Sequence, residues 1–158
     1  MQFIISYDKR MVIQALRYHF LARAEIRVLI ILVNVFAIIS AALFYFNKVS
    51  AMAFLVGSLL WFVLMISLWY ILPHAVYRKA ATFKETFRIN FGESGVVLEN
   101  ERGQTEWTWK RFVTFIESPH FFHLYFDSRS FFLVPKAAVD NGGNIQELRK
   151  LLSDKITK

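Results

Sequence analysis

The stretch VLIILVNVFAIISAALFYF, residues 28–46, and, four residues further on, AMAFLVGSLLWFVLMISLWYIL, residues 51–72, decide the class of this chain. No Asp, Glu, Lys or Arg lies between Arg27 and Lys48, nor between Lys48 and Arg78. Each run supplies the ~20 apolar residues that an α-helix needs to cross a hydrocarbon core of ~30 Å. The link Asn47-Lys48-Val49-Ser50 is short enough to demand an antiparallel helical hairpin, with both chain ends on one side. A buried core hairpin of a soluble protein is the alternative, but that role rarely calls for two such runs.

The rest of the composition agrees. At 158 residues, 56% hydrophobic and with a mean hydropathy of +0.38, the chain is too apolar for an ordinary soluble domain and too short for a multi-span transporter. Its net charge of +7 collects beside the apolar runs. Lys9, Arg10, Arg17, Arg23 and Arg27 precede the first and Arg78-Lys79 follow the second, whereas residues 80–158 hold 11 basic against 10 acidic residues. That distribution is the positive-inside bias and places both termini in the cytoplasm, with Lys48 at the outer tip. It is a poor footprint for nucleic acid, and no nucleic-acid partner is expected. The absence of cysteine removes disulfides, thiol catalysis and Cys-based metal sites. No short apolar segment with a small-residue cleavage site precedes the first run, so no cleavable signal peptide is expected.

Within the spans Asn34, Ser40, Ser58 and Ser67 are polar but not ionisable, which argues against ion-coupled transport. Ala37 with Ala41, and Ala53 with Gly57, are small residues four apart that allow close helix approach. They serve either the hairpin itself or a homo-oligomer. Pro73 marks the expected end of the second helix.

The flanks carry different periods. Phe3, Ile5 and Tyr7 alternate as a strand, and Asp8 is placed to cap a helix over Lys9–Ala24 with an apolar stripe of Val12, Leu16 and Phe20. His19 on that helix reads as an interfacial or packing residue. From Thr82 the period becomes two: Phe83, Phe87, Ile89 and Phe91 face one way. Strands follow at Val96–Asn100, Thr105–Trp109, Arg111–Glu117, His120–Asp127 and Arg129–Val134, separated by turn-forming residues. Asn144 and Glu147 resemble a capping box that opens a helix with Leu148, Leu151, Leu152 and Ile156 on one face. The expected fold is an α+β membrane protein. Residues 1–27 form a strand and an amphipathic helix, 28–72 a transmembrane helical hairpin, and 80–158 a cytoplasmic antiparallel β-domain closed by a C-terminal α-helix on the pleckstrin-homology (PH)-like plan. Residues 2–7 are expected to add a strand to the 82–135 sheet, since an isolated strand leaves its backbone groups unpaired.

Phe91-Gly92-Glu93-Ser94-Gly95-Val96, Trp107 or Trp109, Glu117, Phe121-Phe122-His123-Leu124-Tyr125 and Pro135-Lys136, in this order behind two spans, resemble the YcxB-like family of small bacterial membrane proteins. The similarity runs over nearly the whole chain. The resemblance implies a two-span anchor in the bacterial inner membrane with a cytoplasmic PH-like domain, and it implies no particular reaction. After Pro135-Lys136 the family tends to continue with a basic residue and an aromatic, where this chain has Ala137-Ala138-Val139.

Chemical constellations are sparse. His120 and His123 near Glu117 come closest to a metal or acid–base set, but a spacing of three in a strand puts the two rings on opposite faces. Trp107, Trp109, Phe121, Phe122, Phe131 and Phe132 form either an aromatic platform or a core, and alternation sends half of them inward. No phosphate loop, nucleophile elbow or paired-carboxylate motif occurs, and no cofactor is expected. Lys110, Arg111, Arg129 and Lys136 lie near strand ends, where they could gather into a rim that meets anionic lipid or a partner. The sequence thus reads as a non-enzymatic, membrane-anchored interaction module for a protein or peptide. Recognition of anionic lipid headgroups is the alternative.

Overall fold

The computed structural model describes residues 1–140 and 144–156; the last two residues of the expected 80–158 domain and the 141–143 segment lie outside the described residues. The chain divides into two compact units, Met1–Ala15 with Ala80–Lys158, and Leu16–Lys79.

The first unit joins the two ends of the sequence. Strand β1 (Gln2–Ile5) pairs antiparallel with β2 (Phe87–Phe91), which pairs with β3 (Gly95–Asn100) and then β4 (Gly103–Thr108). The register sets Phe3 opposite Ile89 and Ile5 opposite Phe87. Paired residues share a face, so all four are buried while Ile4, Arg88 and Asn90 face outward. The Phe91 N–H donates to the Met1 carbonyl at 2.7 Å and closes the far end of the pair. Tyr7, just past β1, donates its hydroxyl to the Leu133 carbonyl at 2.8 Å, and burial pushes its pKa up. The N-terminal strand expected from Phe3, Ile5 and Tyr7 is therefore part of the sheet.

A second antiparallel sheet holds β5 (Thr114–Glu117), β6 (Phe121–Tyr125) and β7 (Phe131–Pro135) in that order. Short helix α5 (Lys136–Asp140) and helix α6 (Ile145–Ile156) follow. One core takes side chains from both sheets and from α6: Ile89 and Val96, Phe122, Leu124 and Val134, then Leu148, Leu152 and Ile156. The last three recur every four residues, so one helical face meets the core.

Several boundaries differ from expectation. Ala81–Lys84 is a 3-10 turn rather than the start of a strand, and Phe83 sets its ring edge-on to Tyr7 with centroids 5.4 Å apart. Trp109–Arg111 is another 3-10 turn, so the strands expected over 105–109 and 111–117 stop at Thr108 and resume at Thr114. Its cause lies in Trp109, whose indole N–H is shared by the Gly92 and Glu93 carbonyls, each at 3.1 Å, and cannot follow strand alternation. Helix α5 carried no sequence signal strong enough to be expected.

In the second unit, α2 (Ala24–Tyr45) and α3 (Ala51–Ile66) are consecutive. Helix α1 (Lys9–Ala22) crosses the boundary between units, and the Asp8 carboxylate caps it by accepting the Arg10 and Met11 N–H groups at 2.9 and 3.1 Å. The turn after α2 is a Schellman motif: Asn47, at φ 56°, and Lys48 return their N–H groups to the Phe44 and Leu43 carbonyls at 3.0 and 2.9 Å. Phe44 and Phe54 stack with centroids 4.5 Å apart, and a Cβ on Gly57 would sit 3.8 Å from Ser40 Oγ. Gly57 and Ser40 thus lie close together between the two helices. Asn34, Ser58 and Ser67 bond back to carbonyls four residues earlier in their own helices.

Pro73 does not end the second helix. Residues Ala51–Lys79 form one continuous helix of 29 residues, passing through a π-turn at Ser67–Ile71 into α4 (Leu72–Lys79). The wider turn has Leu72 N–H bonding to the Ser67 carbonyl, five residues back, which relieves the crowding that a proline ring imposes on the preceding turn. The Trp69 carbonyl, which position 73 cannot serve for want of an N–H, accepts from Arg17 Nε at 3.0 Å instead. No residue of α2 or α3 is buried, and both helices are long and apolar enough to cross a membrane by length and composition.

Gly95 generates the first test. A Cβ there would stand 2.1 Å from the Trp107 carbonyl oxygen across the β3–β4 ladder, whereas one on Gly92 would make an ordinary 3.7 Å contact. Gly95→Ala should lower stability by about 1–3 kcal/mol and Gly92→Ala by less than about 0.5 kcal/mol, read by thermal melts of the detergent-solubilised protein.

Candidate functional site

The basic residues expected to form a rim fall into two places. Lys110 and Arg111 lie on the 3-10 turn before β5, and the Arg111 guanidinium sits 5.8 Å from the Phe126 ring centroid. Arg129 occupies the β6–β7 turn, where Asp127 Oδ1 accepts the Arg129 and Ser130 N–H groups at 2.7 and 2.8 Å. Those backbone donors, with the Arg111 charge as a lesser cause, hold the Asp127 carboxyl below its ordinary range. Tyr125 pairs with Phe131 at this end of the hairpin, so Lys110, Arg111 and Arg129 share one neighbourhood. Lys136 does not join them. Its N–H bonds to the His120 carbonyl at the opposite end, where Phe121 pairs with Pro135. Four residue steps along the strand separate the two ends by roughly 13 Å.

Lys136 belongs to a different cluster. Its Nζ lies 2.6 Å from Glu117 Oε1 and 5.3 Å from the Phe122 ring centroid. Arg149, from α6, grips the same carboxylate with two parallel bonds, Nε to Oε2 at 2.8 Å and Nη2 to Oε1 at 2.7 Å. Gln146 accepts a further guanidinium N–H. The Arg149 hydrogen bond, the largest effect, outweighs the opposing burial and, with the hydrogen bond and charge of Lys136 added, holds the Glu117 carboxyl down at about 2. This cluster was not legible in advance, because its members are 19 and 32 residues apart and only β5, α5 and α6 together make it. Glu117 and Lys136 do, however, both stand among the residues that carry the family resemblance.

The histidine pair is split, but not by strand alternation: His120 is exposed in the bend before β6, whereas His123 is buried within the strand. Ser118 donates its hydroxyl to the Phe121 carbonyl at 3.1 Å, and its oxygen receives the His123 Nε2–H at 2.9 Å. In the ladder, His123 pairs with Ile116 and Glu117 with Phe122, so the imidazole and the carboxylate face opposite sides of the sheet. His19 is buried, and burial, then the neighbouring Arg23 charge, brings its pKa down to about 4, so the ring is neutral at ordinary pH.

The aromatic residues are mostly interior. Trp109, Phe121, Phe122 and Phe132 are buried, while Trp107 and Phe131 are half-buried. Trp107 makes edge or tilted contacts with Phe112, Phe126 and Phe132 at 6.1, 5.0 and 5.4 Å. These rings pack against one another rather than line a platform. More open is β4, which among the described strands pairs with β3 alone and is exposed along nearly its whole length.

The geometry defines a helix-closed, antiparallel β-unit whose distinctive residues act as internal ties. Residues 91–152 match the model of the family described as YcxB-like protein, the family that the sequence resembles. The match runs from the end of β2 into α6 and leaves out β1 and both long apolar helices. No curated protein and no solved structure matches the chain.

Glu117 sets a pH dependence. Folding holds its pKa near 2 against an ordinary 4.5, so its contribution is complete above about pH 4.5 and is lost as the pH falls from there through 2. Glu117→Gln should cost about 1–2 kcal/mol near pH 7, allowing for partial exposure. The gap to the unsubstituted protein should close as the pH approaches 2, as followed by chemical denaturation across pH.

Proposed function

We propose that this protein is a non-enzymatic, membrane-anchored interaction module: a two-span hairpin holds a PH-like β-domain at the inner face of the bacterial membrane, where the domain binds a protein or peptide. The observation that carries the reading is the contrast between α2–α3, two long apolar helices with no buried residue, and the β-unit, which buries a full core of its own. Exposed apolar surface on that scale suits lipid, not water. The return of the span hydroxyls and the Asn34 amide to their own helix carbonyls is what a hydrocarbon surrounding demands. Four plus three antiparallel strands closed by a C-terminal helix agree with the PH-like plan.

Two of the titratable groups in the β-unit that sequence patterns singled out have structural employment: Glu117 in an ion cluster, His123 on Ser118. Outward-facing β4 offers an edge to which an extended peptide can add as a further strand. Headgroup recognition by the β-domain is the second reading. It is favoured by the shared neighbourhood of Lys110, Arg111 and Arg129, but it loses Lys136 to Glu117.

Two measurements test the proposal. With both termini inside, Lys48→Cys should react with a membrane-impermeant thiol reagent in intact cells and Glu101→Cys should not; the reverse pattern would invert the topology. A photo-crosslinker at Thr105 on β4 should yield a discrete adduct in cells, and one at the exposed Lys150 on α6 should not. Equal labelling of both positions would remove β4 as the docking edge.

A further inference from the structure

The Leu16–Lys79 unit contains a cavity of about 260 Å³ whose walls are apolar, with Leu21, Ile26, Ile30, Met65 and Leu68 among them. Its charged group is Arg17. The guanidinium is held from two sides: Nε donates to the Trp69 carbonyl that Pro73 leaves unserved, at 3.0 Å, and the Trp69 ring lies 5.1 Å from the guanidinium carbon. Both contacts leave the two terminal Nη groups without a partner among the described residues. Trp61 lines the same cavity with its ring, while its buried indole N–H is closed off from the cavity space. A fixed cation therefore borders one apolar slot.

These features discriminate between occupants. A hydrocarbon chain would fill the walls but leave both Arg17 Nη groups unanswered. A free phosphate would engage Arg17 but leave the apolar walls empty. A glycerophospholipid meets both, with phosphate oxygens for the guanidinium and an acyl chain for the walls. Glu25, paired with Arg23, is the one acidic residue within 16–79, which also holds Arg17 and Arg27, so a headgroup without a compensating cation fits best. We propose that this cavity is a binding site for a single anionic phospholipid, with Arg17 on its phosphate. The inference rests on the membrane reading above, but it concerns different residues from the β-domain's basic side chains.

The test is native mass spectrometry of the full chain, extracted from membranes and offered equal amounts of phosphatidylglycerol and phosphatidylcholine with the same acyl chains. The protein should retain one phosphatidylglycerol with a preference of about fivefold to tenfold. Arg17→Gln, whose amide can still donate to the Trp69 carbonyl, should abolish the preference, and Ile30→Trp, which fills the slot with Arg17 intact, should reduce retention of both lipids. Equal retention of the two lipids, a preference that survives Arg17→Gln, or displacement by excess inorganic phosphate would each overturn the site. So would a preference lost on neutralising Lys110, Arg111 and Arg129 instead. The two readings fail differently: protein that fractionates without membranes defeats the anchor, whereas membrane-extracted protein with no lipid preference defeats only the site.

Discussion

The backbone ladder between β1 and β2 is the constraint on which the rest of the molecule depends. Four residues at the start of the sequence pair with a strand that begins at Phe87. An isolated strand this short has neither partners for its N–H and C=O groups nor a surface to bury against. Here Phe3 and Ile5 complete the core, the Phe91 N–H closes on the Met1 carbonyl, and Tyr7 reaches on to Leu133 in the other sheet. One short segment thus ties both sheets. Because residues 1–15 and 80–158 fold as one unit, the chain between them has to leave that unit and come back to it. A chain that returns must cross any bilayer an even number of times, and two apolar helices meet that condition.

Features governed by neighbours in sequence were readable directly. The apolar helices, the Asp8 cap, the alternation in β1 and β2 and the four-residue recurrence in α6 all follow from local periodicity and side-chain chemistry. Misreadings arose where a distant partner overrides the local rule. Pro73 reads as a helix end because it lacks an N–H; the helix continues because a π-turn widens the backbone and Arg17, 52 positions away, serves the orphaned Trp69 carbonyl. Trp109 reads as the last residue of a strand, yet its indole is drawn to the Gly92 and Glu93 carbonyls and turns the chain into a 3-10 turn. In β6 all five side chains are buried, so period-two reasoning cannot assign an inside and an outside there.

The basic residues show the same limit. Lys110, Arg111, Arg129 and Lys136 look equivalent as charges near strand ends. Strand length separates Lys136 from the others, and the packing of α6 then supplies Arg149 and fixes Glu117 between two cations. Nothing local in Glu117 distinguishes it from Glu93 or Glu106. What separates them is a half-covered position on the core side of β5, facing a helix that the sequence places 28 residues later.

The residues that carry the YcxB-like resemblance turn out to be joined to one another. Gly95 lets β3 approach the Trp107 carbonyl, Trp109 bonds the carbonyls of the turn before Gly95, and Glu117 binds Lys136. Each tie spans a gap in sequence and holds one end of a sheet in place. Such residues define how the β-unit closes, and they sit where packing or ion pairing leaves them little freedom to meet a ligand. Under the proposed reading, a partner would be contacted by side chains outside the shared pattern, on β4 and on the turns that carry Lys110, Arg111 and Arg129, where the surface can vary without disturbing the frame.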